Sequence, residues 1–332
     1  MALRMQRLAS VTIGTGALLA LCASGWVRAE DASWPTHPIQ MIVASSAGSG
    51  TDALARVMAQ RLSVALKQPV VVDNRPGAGG VIGTSAVVKA PADGYTILYT
   101  TASNMVIAPA VLKTIPYDPK KSLVPIAETA EGGVVLLVSN DLPVRSLPEL
   151  IQLIKSNPDK YSYASWSTGS SGQLMMEWLK KQTGMKTEHV AYRTSNQLLT
   201  DLASGVLKIG WTDPNAPVPF LRSGKVRAIA IAGNVRAPQL PEVRTMGEQG
   251  YKFDAVGWFG MFAPAGTNPA IVKRLADEAN KVQTSPDIAT LMRTMNFGPP
   301  PVKTSVQFAE IVSHDLQVWS KIAADAGIRL DE

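Results

Sequence analysis

At 332 residues the chain holds about two domains' worth of sequence at ~100 to 200 residues per domain. With 46% hydrophobic and 17% charged residues it can bury a sizeable core, which excludes wholesale disorder. Its formal charge is +6, but three basic residues (Arg4, Arg7 and Arg28) precede the first acid, Glu30, so the remainder carries only +3. With no dense Lys/Arg block and no aromatic-basic alternation, that charge does not support a nucleic-acid partner.

The first segment reads as an address. Met1 to Arg7 carries two arginines, and Leu8 to Val27 runs uncharged around the apolar centre Gly16 to Leu21, the pattern of a secretory signal. Val27-Arg28-Ala29 ends in a small residue, which places cleavage before Glu30 and the mature protein in the periplasm. An uncleaved anchor is the alternative, since about 20 residues can span a bilayer; the Ser, Thr and Gly content and short apolar centre favour cleavage. Lipidation at Cys22 is a third option, opposed by Leu21 where a small residue would be expected. Cys22 is the single cysteine, so the mature chain has no disulfide, thiolate metal site or cysteine nucleophile.

From there strands alternate with helices. The apolar run 39–43 precedes a small-residue loop and a helix with apolar residues at helical spacing from Leu54 to Leu66. A strand at 70–72, a Gly-rich turn, a helix at 82–89 and a strand at 95–100 continue the pattern, which predicts βαβ crossovers and a mainly parallel sheet. After Gly133 it starts again: a strand at 134–138, then a helix with Ser146 as N-cap, Pro148 in the first turn and Glu149 closing a capping box. Strands at 161–164, 206–211, 226–231 and 257–262 and helices at 172–182 and 196–203 follow. Helices at 269–283, 286–295 and 305–326 then close the chain, a run that should pack back on the first sheet. The expected organisation is α/β in two lobes, residues 30–133 plus 257–332 and residues 134–256, with a hinge and a cleft between them.

Two loops resemble each other: Ser45 to Thr51 and Ser165 to Gly172, each between a strand and a helix and rich in Ser, Thr and Gly. Small residues let the backbone approach a ligand, and free amides at a helix N-terminus favour an anion. For either loop alone an ordinary strand-to-helix turn with a serine cap is the better reading; the pair points to one carboxylate clamped between two lobes. Asp52 would repel an anion there and is read as loop support, capping amides or pairing with Arg56.

Catalytic patterns are missing. The Gly77 to Gly83 run has Ile82 at the third glycine position of a dinucleotide loop, and there is no Walker A sequence, no His-Glu-x-x-His and no Gly-x-Ser-x-Gly. His37, His189 and His314 lack metal-ligand spacing, and His189 reads as a packed or hydrogen-bonded residue. No cofactor and no metal are expected. Asp213 serves equally as a ligand contact or a turn cap, and Trp166, Trp211 and Trp258 either line a cleft or simply pack.

The succession Gly48-Ser49-Gly50-Thr51-Asp52, Ala55-Arg56, Gln68-Pro69-Val70-Val71-Val72, Asn74 to Gly80, Ala92 to Thr96, Pro116-Tyr117-Asp118, His189 to Arg193, Gly224 to Ala228 and Trp258 to Thr267 resembles the tripartite tricarboxylate transporter substrate-binding proteins, the Bug or TctC family, over nearly the whole mature chain. The resemblance implies a periplasmic, monomeric, two-lobed Venus-flytrap receptor of type II-like fold. Such a receptor closes on a small organic acid through backbone amides and ordered water, and delivers it to membrane permease subunits. It carries over to Ser46, Ala47, Gly48, Ser49 and Gly50, and to Ser165, Thr168, Gly169, Ser170 and Ser171; Ser103, Asn104 and Asp213 are candidates for the ligand's far end. Departures from the family pattern are Ser45-Ser46-Ala47 where Phe or Pro is common, Trp166 in place of a small residue and Gln173 in place of histidine. Trp166 points to a flat or aromatic acid, or to a shortened pocket. The competing readings are an exported ligand sensor for a signalling partner and an α/β hydrolase using Ser170 or Ser171, for which no base is recognisable.

Overall fold

The computed structural model describes residues 34–255 and 257–331; the signal segment 1–29 and its cleavage point before Glu30 lie outside the described residues. The chain from Pro35 onward forms one compact unit.

The first strand, β1 (Ile39–Val43), is buried at every position except Gln40, as suits a strand covered on both faces. Helix α1 (Gly50–Leu66) begins where the Ser49 hydroxyl accepts the Asp52 amide, and it buries Leu54, Ala55, Met58, Ala59, Leu62 and Leu66 along one face. The chain continues through β2 (Val70–Asn74), α2 (Val81–Val88), β3 (Thr96–Thr101), the short α3 (Ala108–Val111) and β4 (Leu123–Gly132). The sequence reading has no strand at β4. Pro125, Glu128, Thr129 and Glu131 interrupt its apolar pattern, and the buried Glu128 is held by Lys303 at 2.7 Å.

The second half repeats the scheme: β5 (Val134–Ser139), α4 (Leu147–Ser156), β6 (Ser162–Ser165), α5 (Ser171–Thr183), β7 (Glu188–Ala191), α6 (Ser195–Ser204), β8 (Ile209–Thr212), α7 (Val218–Arg222) and β9 (Val226–Ala232). Ser146 caps α4 as expected, but Glu149 reaches the amide of Arg145 at 2.8 Å rather than that of Ser146, one residue beyond a capping box. The chain then returns through β10 (Gly257–Pro264) to α8 (Pro269–Gln283), α9 (Pro286–Thr294) and α10 (Ser305–Asp325). Helices α8 and α10 lie on β4, and the Ser305 hydroxyl donates to the Ile126 carbonyl at 2.7 Å, so the closing helices do cover the first sheet.

Two five-stranded sheets result, ordered β2-β1-β3-β10-β4 and β7-β6-β8-β5-β9. They share one plan. Three parallel strands are followed by an antiparallel one, β10 in the first sheet and β5 in the second, and then by an outer strand, β4 or β9. The expectation of a mainly parallel sheet is therefore corrected to two mixed ones. The crossovers from β3 to β4 and from β8 to β9 each leave a one-strand gap, which a strand arriving from the other sheet fills.

Those exchanges meet at one place. Gly132 pairs with Gly257 at the end of the β4·β10 ladder, and Val134 pairs with Ala232 at the start of the β5·β9 ladder. Gly133 sits between them, where a Cβ would lie 2.0 Å from the Ala232 carbonyl oxygen. A second tie joins the halves: Asn296 donates to the Pro214 carbonyl and accepts from the Gln239 amide, each at 2.8 Å. Since Gly133 has no room for a methyl group, Gly133→Ala should destabilise the fold by about 1–3 kcal/mol, as overpacking does. Chemical denaturation at constant m-value measures this, and an unchanged midpoint would show that the crossing is slack.

Candidate functional site

The shared plan puts β1 and β6 at equivalent positions, so the two small-residue loops leave the carboxyl ends of equivalent strands, where open α/β sheets bind ligands. The loops are also built alike. In the first, Ser49 caps α1 and the Asp52 carboxylate reaches back to the Gly48 amide at 2.8 Å. In the second, Ser170 caps α5 and the Gln173 side chain accepts from the Gly169 amide at 2.7 Å. Each is a Ser-x-x-Asp/Gln device that occupies one loop amide and leaves the neighbouring first-turn amides for other partners.

Further bonds brace the first loop. Asp52 also accepts from Arg56 Nε at 3.0 Å and from Asn74 Nδ2 at 2.9 Å, and Asn74 Nδ2 donates to the Ser45 carbonyl at 3.1 Å. Burial raises the Asp52 pKa, but the hydrogen bonds from Arg56, Gly48 and Asn74 outweigh it and hold the carboxyl below its usual range. Asp52 is thus the loop support that the sequence suggests. Asn104 belongs to the same scaffold, donating its side-chain amide to the Ala44 carbonyl at 2.9 Å.

The second loop rests on a buried hydroxyl chain. Ser170 Oγ donates to Ser165 Oγ at 2.7 Å, and Ser165 Oγ lies 2.7 Å from His189 Nε2. Parallel pairing of β6 with β7 sets Tyr163 beside His189 and so brings the imidazole to Ser165, a contact no sequence spacing announces. Burial pushes the His189 pKa down to about 4, with Glu177 opposing, so the ring is neutral at pH 7.

A cavity of about 170 Å³ lies between residues of both sheets. The ends of the two equivalent third strands contribute to it, Thr101 at the end of β3 with Ser103 just beyond, and Asp213 after β8. Trp166 and Ser171 of the second loop, the crossing residues Gly132 to Val134, and the rings of Trp258, Phe259, Phe297 and Trp319 complete much of the wall. Asp213 Oδ1 accepts the amides of Asn215 and Ala216, each at 3.0 Å, so it is a turn cap that also faces the cavity. Trp258 donates its indole N–H to Asp315 at 2.9 Å; burial raises that carboxyl to about 6.

Of the residues expected from sequence, Ser103, Ser171 and Asp213 line this cavity, as does Trp166. Ser46, Ala47, Gly48 and Gly50 are exposed, Ser49 is half-buried, and none is in its lining. Thr168 is exposed; Gly169 is buried against Val111 and Leu330; Ser165 and Ser170 are buried in the hydroxyl chain. Trp211 packs fully buried. Sequence reasoning missed Phe259, Phe297 and Trp319. Trp319 shares the buried face of α10 with Phe308, Val312 and Leu316, and periodicity cannot tell such a core position from a cavity wall. A separate groove of about 480 Å³ between α5 and α10 shares no residue with the cavity and lies away from both loops.

Comparison with known proteins settles what this architecture is. The family model described as tripartite tricarboxylate transporter family receptor matches residues 54–328. The chain belongs to the tripartite tricarboxylate transporter receptor family. It is 35% identical over 300 residues to Protein BugT of Bordetella pertussis, covering 90% of this chain and 92% of that one. Among solved structures, an R. palustris protein with adipate is 32% identical with a TM-score of 0.72, covering 89% of this chain and 99% of that chain. MatC from Rhodopseudomonas palustris with bound malate is 26% identical with a TM-score of 0.70, covering 87% and 99%. The family's two-lobed periplasmic-binding-protein fold is the fold of this chain. Among the described residues, no group of His, Cys, Asp and Glu could hold a metal ion, and no helix is long and apolar enough to cross a membrane.

The titrations give a test of the second loop. The His189 pKa drops from 6.5 to about 4 on folding, so between those values the unfolded chain binds the extra proton and stability is lost as pH falls. Burial raises Glu128 from 4.5 to about 7, against the pull of Lys303, which gives the opposite slope: stability falls as pH rises through that window. His189→Gln should therefore remove the acid-side loss between about pH 6.5 and 4 while leaving the Glu128 slope. Denaturation midpoints of variant and parent across that range measure it; parallel curves would mean that His189 titrates normally.

Proposed function

We propose that the protein is a periplasmic solute receptor that binds a small carboxylate between its two lobes, residues 30–133 plus 257–332 and residues 134–256, and delivers it as a monomer to the membrane subunits of a tripartite tricarboxylate-type transporter. The observation that carries this reading is the cavity itself, walled by strand ends of both sheets and by the chain crossing that joins them. A ligand in contact with both halves stabilises their closed arrangement only by its extra affinity for that arrangement. Occupancy thereby becomes a shape that a permease can read.

In this reading the carboxylate sits at the second loop against Ser171 and the first-turn amides of α5, with Thr168, Gly169 and Ser170 shaping the turn behind it, and the exposed first loop, Ser46 to Gly50, closes over it. The body of the ligand lies toward Thr101, Ser103 and Asp213. The relatives solved with adipate and malate, two small carboxylates, support the ligand class. A cavity of about 170 Å³ is below the ~300–1,000 Å³ of drug-sized pockets, so a small solute fits it better than a large one. Binding rather than catalysis also fits the local chemistry. The imidazole nearest to the candidate nucleophiles is bonded to Ser165, and Ser170 is occupied as cap and hydrogen-bond donor.

Thermal unfolding against mono-, di- and tricarboxylates, aromatic acids, amino acids and neutral controls tests the reading. The matching acid should raise the melting temperature with concentration, stabilising by about 2.7 kcal/mol at 100 times its Kd. No shift with any acid would overturn the proposal. Trp166→Gly should broaden the set of acids that bind, because the indole narrows the cavity wall; an unchanged ligand profile would remove Trp166 from specificity.

A further inference from the structure

The cavity carries a fixed negative charge, the carboxylate of Asp213, and no Lys, Arg or His among its described lining residues to balance it. The Asp213 Oδ1 is engaged by two backbone amides, which leaves Oδ2 of the half-buried side chain as the acceptor facing the cavity. The same cavity is lined by Trp166, Trp258, Phe259, Phe297 and Trp319. A carboxylate in a cavity with aromatic walls attracts a positive group through its own charge, and the rings can add to that attraction. The same surroundings repel a second negative charge and offer little water to screen it.

We propose that Asp213, in a cavity with aromatic walls, receives an ammonium group, so that the solute is an amino acid or another small ammonium-bearing acid rather than a plain di- or tricarboxylate. This rests on the receptor reading and adds the second pole of the ligand to it. The carboxylate lies on the amides of the second loop, and the ammonium lies against Asp213 at the end of the neighbouring strand β8. The polar residues at the equivalent end of β3, Thr101 and Ser103, are neutral hydroxyls, which places the charge selection on Asp213 alone.

Matched pairs that differ only by the ammonium decide it: leucine and 4-methylpentanoate, phenylalanine and 3-phenylpropanoate, glutamate and glutarate, titrated calorimetrically into the protein. At least one amino acid should bind while its deaminated partner binds about 10- to 100-fold more weakly, the loss expected for one charge-assisted bond. Asp213→Asn keeps the Oδ1 acceptor for the turn and should reverse the preference, weakening the amino acid and strengthening the plain acid. A purely structural role would weaken both. Plain acids that bind the parent protein as well as their amino partners, or an amino-acid affinity unmoved by Asp213→Asn, overturn the inference and leave the receptor standing. Silence from every member of these pairs and of the acid panel removes the receptor reading itself.

Discussion

Everything in this molecule is arranged around the strand that two sheets share. From Leu123 to Ser139 the chain runs as β4 and then β5 with a single interruption at Gly133, pairing first with β10 and then with β9. No side chain fits at the interruption, because the returning backbone at Ala232 passes too close. The two halves are thus joined where backbone packs against backbone, and the cavity opens directly beside that joint, with Gly132, Gly133, Val134, Ala232 and Gly257 in its wall.

The shared plan of the sheets also explains why two loops far apart in sequence look alike. Each follows the second strand of the parallel trio, and each needs a cap, a tight turn and a side chain that reaches back to an amide. The side chains differ in charge. Asp52 brings a negative carboxylate to the first loop, held by Arg56 and Asn74, whereas Gln173 performs the same task neutrally in the second. A ligand anion therefore meets less repulsion at the second loop, the one whose Trp166 and Ser171 line the cavity. In the proposed two-loop clamp this asymmetry would set the direction of the ligand.

Much of this was legible because local chemistry repeats. The caps at Ser49 and Ser170 show as small polar residues before helical spacing, and the apolar runs of β1, β3, β5 and β9 are short and unambiguous. Strand β4 was hidden because it buries Glu128 against Lys303, so its polar residues mask a core strand. The antiparallel pairings were hidden for a different reason: they depend on strands arriving from the other sheet, which no local pattern records. At the site, Ser103, Ser171 and Asp213 stood at recognisable strand or helix ends, while Phe297 and Trp319 reach the cavity only through tertiary packing. The Ser165 to His189 contact needed the register of two parallel strands.

The exchange of strands also imposes an order of assembly. All five strands of the second sheet lie consecutively between Val134 and Ala232, so that half can close its ladders from its own neighbours. The first sheet cannot. Its strand β4 pairs only with β10, which begins at Gly257, and the helices that cover β4 follow later still. Loop closure over so long a stretch slows folding, so the amino-terminal half, first to emerge from a ribosome or a translocation pore, is the last to be completed. Until residues 257–264 arrive, β3 and β4 present open edges that invite wrong partners, and a chain exported unfolded would pass through this exposed stage on the far side of the membrane it has crossed.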